Sequence, residues 1–470
     1  MITRTLSQFV HDLEFDALPA EVRTRVPALA LDLAGIMVRA RHEAESTPAM
    51  IAAARRLGFS PGACTVIGDA AGYTPAGAAM VNGTLAHSLD FDDTHAPGSL
   101  HPSAPIVPAA LAAAEMTGAD GRALIPAIVA GYEVQIRLSL ALDPAAHYDR
   151  GFHPTATCGA FGAAAAAGRL LGLDPAGIAS AFGIVLSMAA GSMQYLVNGA
   201  WTKRSHVGHA AMCGLTAATL AAEGYEGAAD ALEGKWGFLH AYAPASDAQK
   251  VIDALGTRWE TLKIAVKPYP SCRYSHAAID GIRDLMRRHG IKPDEVKEMM
   301  VGLPEPGWKI IGNPEEAKQS PKSVVDGQFS MAFCGAVTLL TGGLVWDDYA
   351  RHLGDARTLA LCKRIRTRVD ARAQADFPAE MSAAVRIDTP RGEFETYVRV
   401  PRGEPANFLT PEELRAKFDG LVGPYLHRER ADQLARNLVE LERARDIGAI
   451  LRLARPDVRP AELRVATREA

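Results

Sequence analysis

Along the first 265 residues apolar positions recur every three or four residues, the spacing of one helix face. The stretches "ALIPAIVAGYEVQIRLSLAL" (123–142) and "CGLTAATLAAEG" (213–224) carry it most clearly. Helix punctuation falls between such runs. In "LGLDPAGIASAFGI", Gly172 is placed to end one helix, Asp174 to cap the next and Pro175 to occupy its first turn. Alanine and glycine dominate these faces and permit close backbone approach, so the pattern predicts a compact helical bundle. Near Val266 the period changes. "VKEMMVGLP" (296–304) reads as a strand, and "AAVRIDTPRGEFETYVRV" (383–400) as a β-hairpin with a Pro-Arg-Gly turn. Helices are predicted between them at "AAIDGIRDLMRRHG" and "DGQFSMAFCGAVTLLTGG". The fold class is therefore mainly α with a smaller α+β domain. Its parts are a large helical bundle over 1–265, an inserted α+β domain over 266–404, and helices over 405–470 returning to the bundle. "TPEELRAKFDGLVGPYL" opens that return with a capping threonine and an acidic first turn. The last dozen residues are charged, poorly patterned and expected to fray.

Composition narrows the class. The 470 residues are 48% hydrophobic and 22% charged with net charge −4, ordinary for a globular protein. Such a balance excludes wholesale phosphate neutralisation, so nucleic acid is not an expected partner. The six cysteines are scattered without a C-x-x-C pair, against a zinc knuckle or a disulfide framework. The N-terminus has no signal-peptide core, giving a cytoplasmic expectation. The most apolar run, Ala176–Met193, is rich in small residues and reads as an internal packed helix, so no membrane partner is expected.

Titratable chemistry gathers in four segments. "HSLDFDDTHAPGSLHPS" (87–103) holds Asp90, Asp92, Asp93, Thr94, His95 and His101. "GFHPTATCGAFGAA" (151–164) holds His153; "QYLVNGAWTKRSHVGHAA" (194–211) holds Lys203, Arg204, His206 and His209. "VKPYPSCRYSHAAID" (266–280) holds Lys267, Tyr269, Ser271, Arg273 and His276. Each has a plain structural reading. Asp90 to Asp93 would end one helix and cap the next. His153-Pro154 would start a helix, Lys203-Arg204 would be a solvated helix end, and Lys267-Pro-Tyr-Pro a stiff connector. A metal site lacks a firm ligand pattern, with no H-E-x-x-H. The mixture favours acid–base work on a small polycarboxylate. Ionised carboxylates leave water only when paired, so lysines and an arginine suit their binding. Histidine in a partly dry site suits proton transfer.

Taken together, "NGTLAHSLDFDDTHAPGSLHPSAPIVPAALA", "FHPTATCGAFGAAAAAGRLLGL", "GAWTKRSHVGHAAMCGLTAATLAAEGYEGAADALEGKWGF" and "KPYPSCRYSHAAID" make the chain resemble the MmgE/PrpD family over nearly its whole length. That family includes 2-methylcitrate dehydratases, cis-aconitate decarboxylases and iminodisuccinate epimerases. The resemblance implies a homodimer whose site lies between a helical domain and an α+β lid, with no metal and no cofactor. It implies site positions at Asp90, Thr94, His101, His153, Lys203 and Lys267. Family members often carry tyrosine where this chain has Phe333.

On that basis His101 or His153 is expected to transfer the proton, with Asp90 orienting a histidine or sharing its proton. Lys203 and Lys267 are expected to hold substrate carboxylates, Arg273 to be a third cation, and Thr94 to hydrogen-bond the substrate. The expected reaction is dehydration of a 2-methylcitrate-like hydroxy acid. Decarboxylation of a cis-aconitate type and epimerisation of an iminodisuccinate type remain open from the same kind of intermediate. From other classes, a non-catalytic helical scaffold and a metal hydrolase are carried as alternatives.

Overall fold

The computed structural model describes residues 1–456; the charged tail expected to fray lies outside the described residues. The chain divides into two compact units. The first is Met1–Ala265 with Pro411–Ala470, and the second is Val266–Thr410.

In the first unit the helix signals act as written. Helix α1 (Ala20–Glu43) buries a continuous stretch from Leu29 to Ala40. Helix α2 (Pro75–His87) starts on Thr74, whose side chain accepts from the Gly77 N–H, with Pro75 in the first turn. Helix α3 (Ser103–Thr117) stops at Gly118, in the left-handed region at φ 70°. Helix α4 (Gly121–Ala141) is capped by Asp120. By length and composition α4 could cross a membrane, but 89% of its most apolar stretch is buried, as in a core helix. Helix α5 (Pro154–Leu170) runs into the Gly172–Asp174–Pro175 device, and Asp174 accepts from the Gly177 N–H to start α6 (Pro175–Leu186). Helix α7 (Thr202–Ala222) follows, a face rich in Ala and Gly. The helices of this unit are joined by a two-residue hairpin that the pattern does not predict, β1 (Cys64–Thr65) against β2 (Gly72–Tyr73).

Helices α2 and α7 approach so closely that no side chain fits where they cross. A Cβ on Gly208 would lie 2.1 Å from the Met80 carbonyl oxygen and 2.3 Å from Thr84 Oγ1; one on Gly83 would lie 2.8 Å from Gly208 Cα. This contact brings His87, four residues beyond Gly83, within electrostatic reach of Lys203 and His206, five and two residues before Gly208.

Helix α8 (His276–His289) lies in the second unit, built on a sheet of order β4-β3-β5-β6. Strand β3 (Glu298–Leu303) pairs in parallel with β4 (Ile365–Val369) and antiparallel with β5 (Ala383–Thr389). Strand β5 turns into β6 (Gly392–Val398) through Pro390-Arg391, with Thr389 opposite Gly392. Helix α9 (Met331–Thr341) and α8 cover this sheet with Ile279, Ile282, Phe333 and Val337 against Met299, Val301, Val385 and Ile387. Phe333 is fully buried and stacks on Tyr349 with ring centroids 5.7 Å apart. Its place is thus a core position. The chain re-enters the first unit through α10 (Pro411–Val422), which bears Glu412 and Glu413 in its first turn, and α11 (Arg428–Val439).

Gly208→Ala is expected to lose about 1–3 kcal/mol or more, because the obstacle is backbone and cannot turn aside. Gly420→Ala, in a helix where an added Cβ meets nothing within 4 Å, is expected to be neutral or to gain up to about 1 kcal/mol. Urea unfolding of both variants checks the pair; a Gly208 variant as stable as the parent contradicts the crossing.

Candidate active site

The loop from 88 to 102 joins α2 to α3 and carries most of the acidic groups. Two isolated bridges shape it, Thr94 with Ala265 and His95 with Leu100. Asp90 sits at φ 51°, a left-handed conformation that aspartate tolerates better than most residues. The loop is held from behind by the returning chain. Lys417 of α10 pairs with Asp32 of α1 at 2.6 Å, both nearly buried; its Nζ donates to the Phe91 carbonyl and lies 3.7 Å from the Phe91 ring centroid.

The three aspartates go to three different places. Asp90 accepts from Lys203 Nζ at 3.1 Å, with side chains 20% and 28% exposed. Burial works to lower the Lys203 pKa, but Asp90, Tyr195 and Asp92 outweigh it and the ammonium is held more firmly than usual. Asp93 caps the start of α3: Oδ1 accepts from the Ser103 N–H at 3.1 Å, and Oδ2 takes the Ser103 hydroxyl, which also contacts Tyr132 Oη at 2.6 Å. The plain reading of a helix cap is correct for this residue. Asp92, fully buried, is the carboxylate among the histidines. Its Oδ2 accepts from His87 Nδ1 at 2.7 Å and lies 3.3 Å from His101 Nδ1.

Four imidazoles follow one another around this carboxylate. The His87 and His101 centroids are 4.5 Å apart at 70°, His87 and His153 are 6.0 Å apart, and His153 and His206 are 5.6 Å apart. His153 stands directly before Pro154, with its backbone N–H fixed on the Gly191 carbonyl at 2.9 Å. His101 is fixed through its backbone N–H on Thr155 Oγ1 at 3.2 Å. Among the described residues neither ring nitrogen of His153 has a hydrogen-bond partner, nor has His87 Nε2 or Thr94 Oγ1. Burial pushes His87 down to about 4 against the pull of Asp92. Burial, then the neighbouring His87 and Lys203, hold His153 well below its ordinary value. Burial alone would raise Asp92, yet His87 and His101 more than reverse this and hold it well below the usual carboxylate range. His87, His153 and His206 are therefore neutral rings beside an ionised carboxylate and a charged lysine.

The ligand atoms of His87, Asp92 and His101 lie within 4.8 Å of one another, near the spacing a metal ion would use. The 2.7 Å separation of His87 and Asp92 is hydrogen-bond contact, though. Two ligands about 2.0–2.2 Å from one ion sit roughly 3 Å or more apart. The arrangement fits a shared proton better than an ion.

The first unit thus brings together Asp90, Thr94, His101, His153 and Lys203 within one region of loop and helix starts. Lys267 and Arg273 belong to the second unit. Lys267 is 4% exposed, and the Arg273 guanidinium is ion-paired with Glu404, so its charge is already answered there. Tyr269 donates to Asp280 at 2.5 Å, and His276 Nε2 contacts the Ser271 carbonyl at 3.2 Å. The sequence gives His87, Asp92 and His206 no expected role, although Asp92 and His206 lie in the reactive segments. The only signal for the first two is a histidine in the last turn of α2 with a carboxylate five residues on. His209 contacts Cys213 Sγ at 3.3 Å, one turn along α7.

Asp93 should leave a mark on stability. Burial, with Asp92 adding and Ser103 opposing, raises it to about 8. Unfolded, it ionises near 4. Between these pH values the folded protein keeps a proton that the unfolded chain gives up, so the stabilisation present below pH ~4 is lost as pH rises to ~8. Melting of the parent is therefore expected to fall relative to Asp93→Asn between pH 5 and pH 8; parallel curves would contradict the buried neutral acid.

Two family profiles match the chain: the MmgE/PrpD N-terminal domain over residues 4–250 and the MmgE/PrpD C-terminal domain over residues 269–441. Curated relatives agree. "Cis-aconitate decarboxylase-like protein oryM" of Aspergillus oryzae is 29% identical over 484 residues, covering 96% of this chain and 97% of its own length. A cis-aconitate decarboxylase of Aspergillus terreus is 28% identical over 480 residues, covering 96% and 95%. The human cis-aconitate decarboxylase is 31% identical over 287 residues, covering 58% and 57%. With both domain profiles matched in order along it, the chain belongs to the MmgE/PrpD family.

Proposed function

We propose that this protein is a metal-independent lyase that decarboxylates a small unsaturated tricarboxylic acid of the cis-aconitate type. The observation that supports it most is the run of four imidazoles around Asp92 beside the charged Lys203. A lysine gives a substrate carboxylate its counter-charge, and imidazoles exchange protons near neutral pH. The relatives' names favour decarboxylation over the dehydration expected from sequence.

The chemistry divides as follows. The bond between carbon and the leaving carboxylate breaks, and carbon dioxide departs without the bonding pair. That pair spreads onto the adjoining carboxyl-conjugated carbons, where developing negative charge needs nearby donors. An imidazolium then places its proton on carbon, and the neutral ring left behind is reprotonated from water. His101, whose side chain is 15% exposed, is assigned this proton transfer, with His153 beside it. Lys203, kept charged by Asp90, and Lys267 are assigned to the remaining carboxylates, and the unpaired Thr94 hydroxyl to a substrate hydrogen bond.

Proton NMR in heavy water over cis-aconitate, a 2-methylcitrate-type hydroxy acid and iminodisuccinate tests the assignment. Expected is carbon dioxide release from cis-aconitate with one deuterium entering the product. Water loss from the hydroxy acid alone would instead make the enzyme a dehydratase, and no change in any substrate would favour the scaffold. His101→Ala is expected to lower kcat by roughly 10²–10⁴-fold with folding intact. Lys203→Ala and Lys267→Ala are expected to raise KM by roughly 10- to 100-fold, the loss of one charge-assisted hydrogen bond. Turnover should survive exhaustive chelation; activity restored only by added metal would return the hydrolase alternative.

A further inference from the structure

Asp92 and His87 have no part in the roles just assigned, yet they occupy the centre of the imidazole cluster. One oxygen, Asp92 Oδ2, faces both His87 Nδ1 at 2.7 Å and His101 Nδ1 at 3.3 Å. We propose that Asp92 is a positioning residue for His101, and that His87 sets how much of the Asp92 charge His101 feels by competing for the same oxygen. The proposal rests on the reading of His101 as the proton-transfer group.

The hydrogen-bond geometry gives His87 the nearer claim. As a neutral ring it donates from Nδ1, and its Nε2 is left buried without a partner among the described residues. His101 presents Nδ1 to the same carboxylate oxygen, which leaves Nε2 as the nitrogen free to exchange a proton. A carboxylate at the far nitrogen holds a ring in one tautomer and stabilises the cation that forms on it. His101 Nδ1 itself makes no hydrogen bond among the described residues, so its tie to Asp92 is the 3.3 Å charge contact.

The surrounding charges make Asp92 the decisive one. From the same loop, Asp90 is answered by Lys203 of α7, and Asp93 keeps its proton at neutral pH. From α1 and α10, Asp32 and Lys417 answer each other. His153 and His206, from α5 and α7, are neutral rings. Among the described residues Asp92 is ion-paired with histidines alone. A carboxylate within about 4 Å favours the charged form of a neighbouring imidazole.

The two partners should therefore have opposite effects. Asp92→Asn removes the charge and is expected to move the His101 signal's titration midpoint down. His87→Leu removes the competing donor, concentrates the carboxylate on His101, and is expected to raise the midpoint. The readout is NMR titration of the full chain with histidines labelled at Cε1, without substrate, the His101 signal being the one lost in His101→Gln. The limb of the kcat/KM pH profile that follows His101 should move in the same two directions, which a merely structural lesion would not produce. If Asp92→Asn does not fold by circular dichroism, the sign of the His87→Leu shift carries the test. Midpoints unmoved within about 0.3 unit, or moved the same way in both variants, overturn the proposal. Opposite shifts without turnover on any tricarboxylate uphold the positioning and overturn the assigned reaction; turnover with unmoved midpoints does the reverse.

Discussion

Asp92 is a charge without water. It is fully buried, and taking a carboxylate out of water costs several kcal/mol unless donors replace the solvent. His87 supplies a short hydrogen bond and His101 a nearby ring nitrogen. His87 is the last residue of α2, and His101 lies on the loop two residues before α3. Keeping Asp92 ionised therefore fixes where both helices meet the loop. Since α7 sits on α2 through the bare Gly83–Gly208 contact, it fixes where Lys203 and His206 stand as well.

The returning C-terminal chain completes this arrangement from a distance of more than 300 residues. Lys417 reaches back to Asp32 and to Phe91, the residue between Asp90 and Asp92. Asp90 faces outward to Lys203 while Asp92 and Asp93 face inward, and a peptide clamped at Phe91 cannot exchange them. Three carboxylates within four residues are thereby given three different states: paired with an ammonium, ionised among imidazoles, and protonated against Ser103.

Much of this was legible in the sequence, and its limits are physical. The Gly172–Asp174–Pro175 device, the β5–β6 hairpin and the change of character at Val266 all depend on neighbours within a few residues, and local chemistry reports them. Strand β4 is not legible because Arg366 and Arg368 break its apolar pattern; it is an edge strand, where charge on exposed positions is normal. The four reactive segments stood out because histidine and lysine are conspicuous among alanines. Which aspartate served which partner did not, since "DFDD" offers three equivalent carboxylates until the loop's turn is known. Arg273 looked like a spare cation because Glu404, its partner, is 131 positions away. Phe333, where family members often carry tyrosine, fills the core of the second unit against Tyr349.

The chain belongs to the MmgE/PrpD family and resembles relatives named as cis-aconitate decarboxylases, while its first unit brings the imidazoles and the lysine together. What joins the two is the claim that an acid substrate sits against Lys203 with a carbon within reach of His101. A crystal structure of the full chain with an unreactive saturated tricarboxylate tests it most directly. Expected is a carboxylate within about 3 Å of Lys203 Nζ and a substrate carbon beside the His101 ring, with Asp92 still on His87. A tricarboxylate bound away from both residues, or His101 turned from Asp92 with the ligand in place, would contradict it.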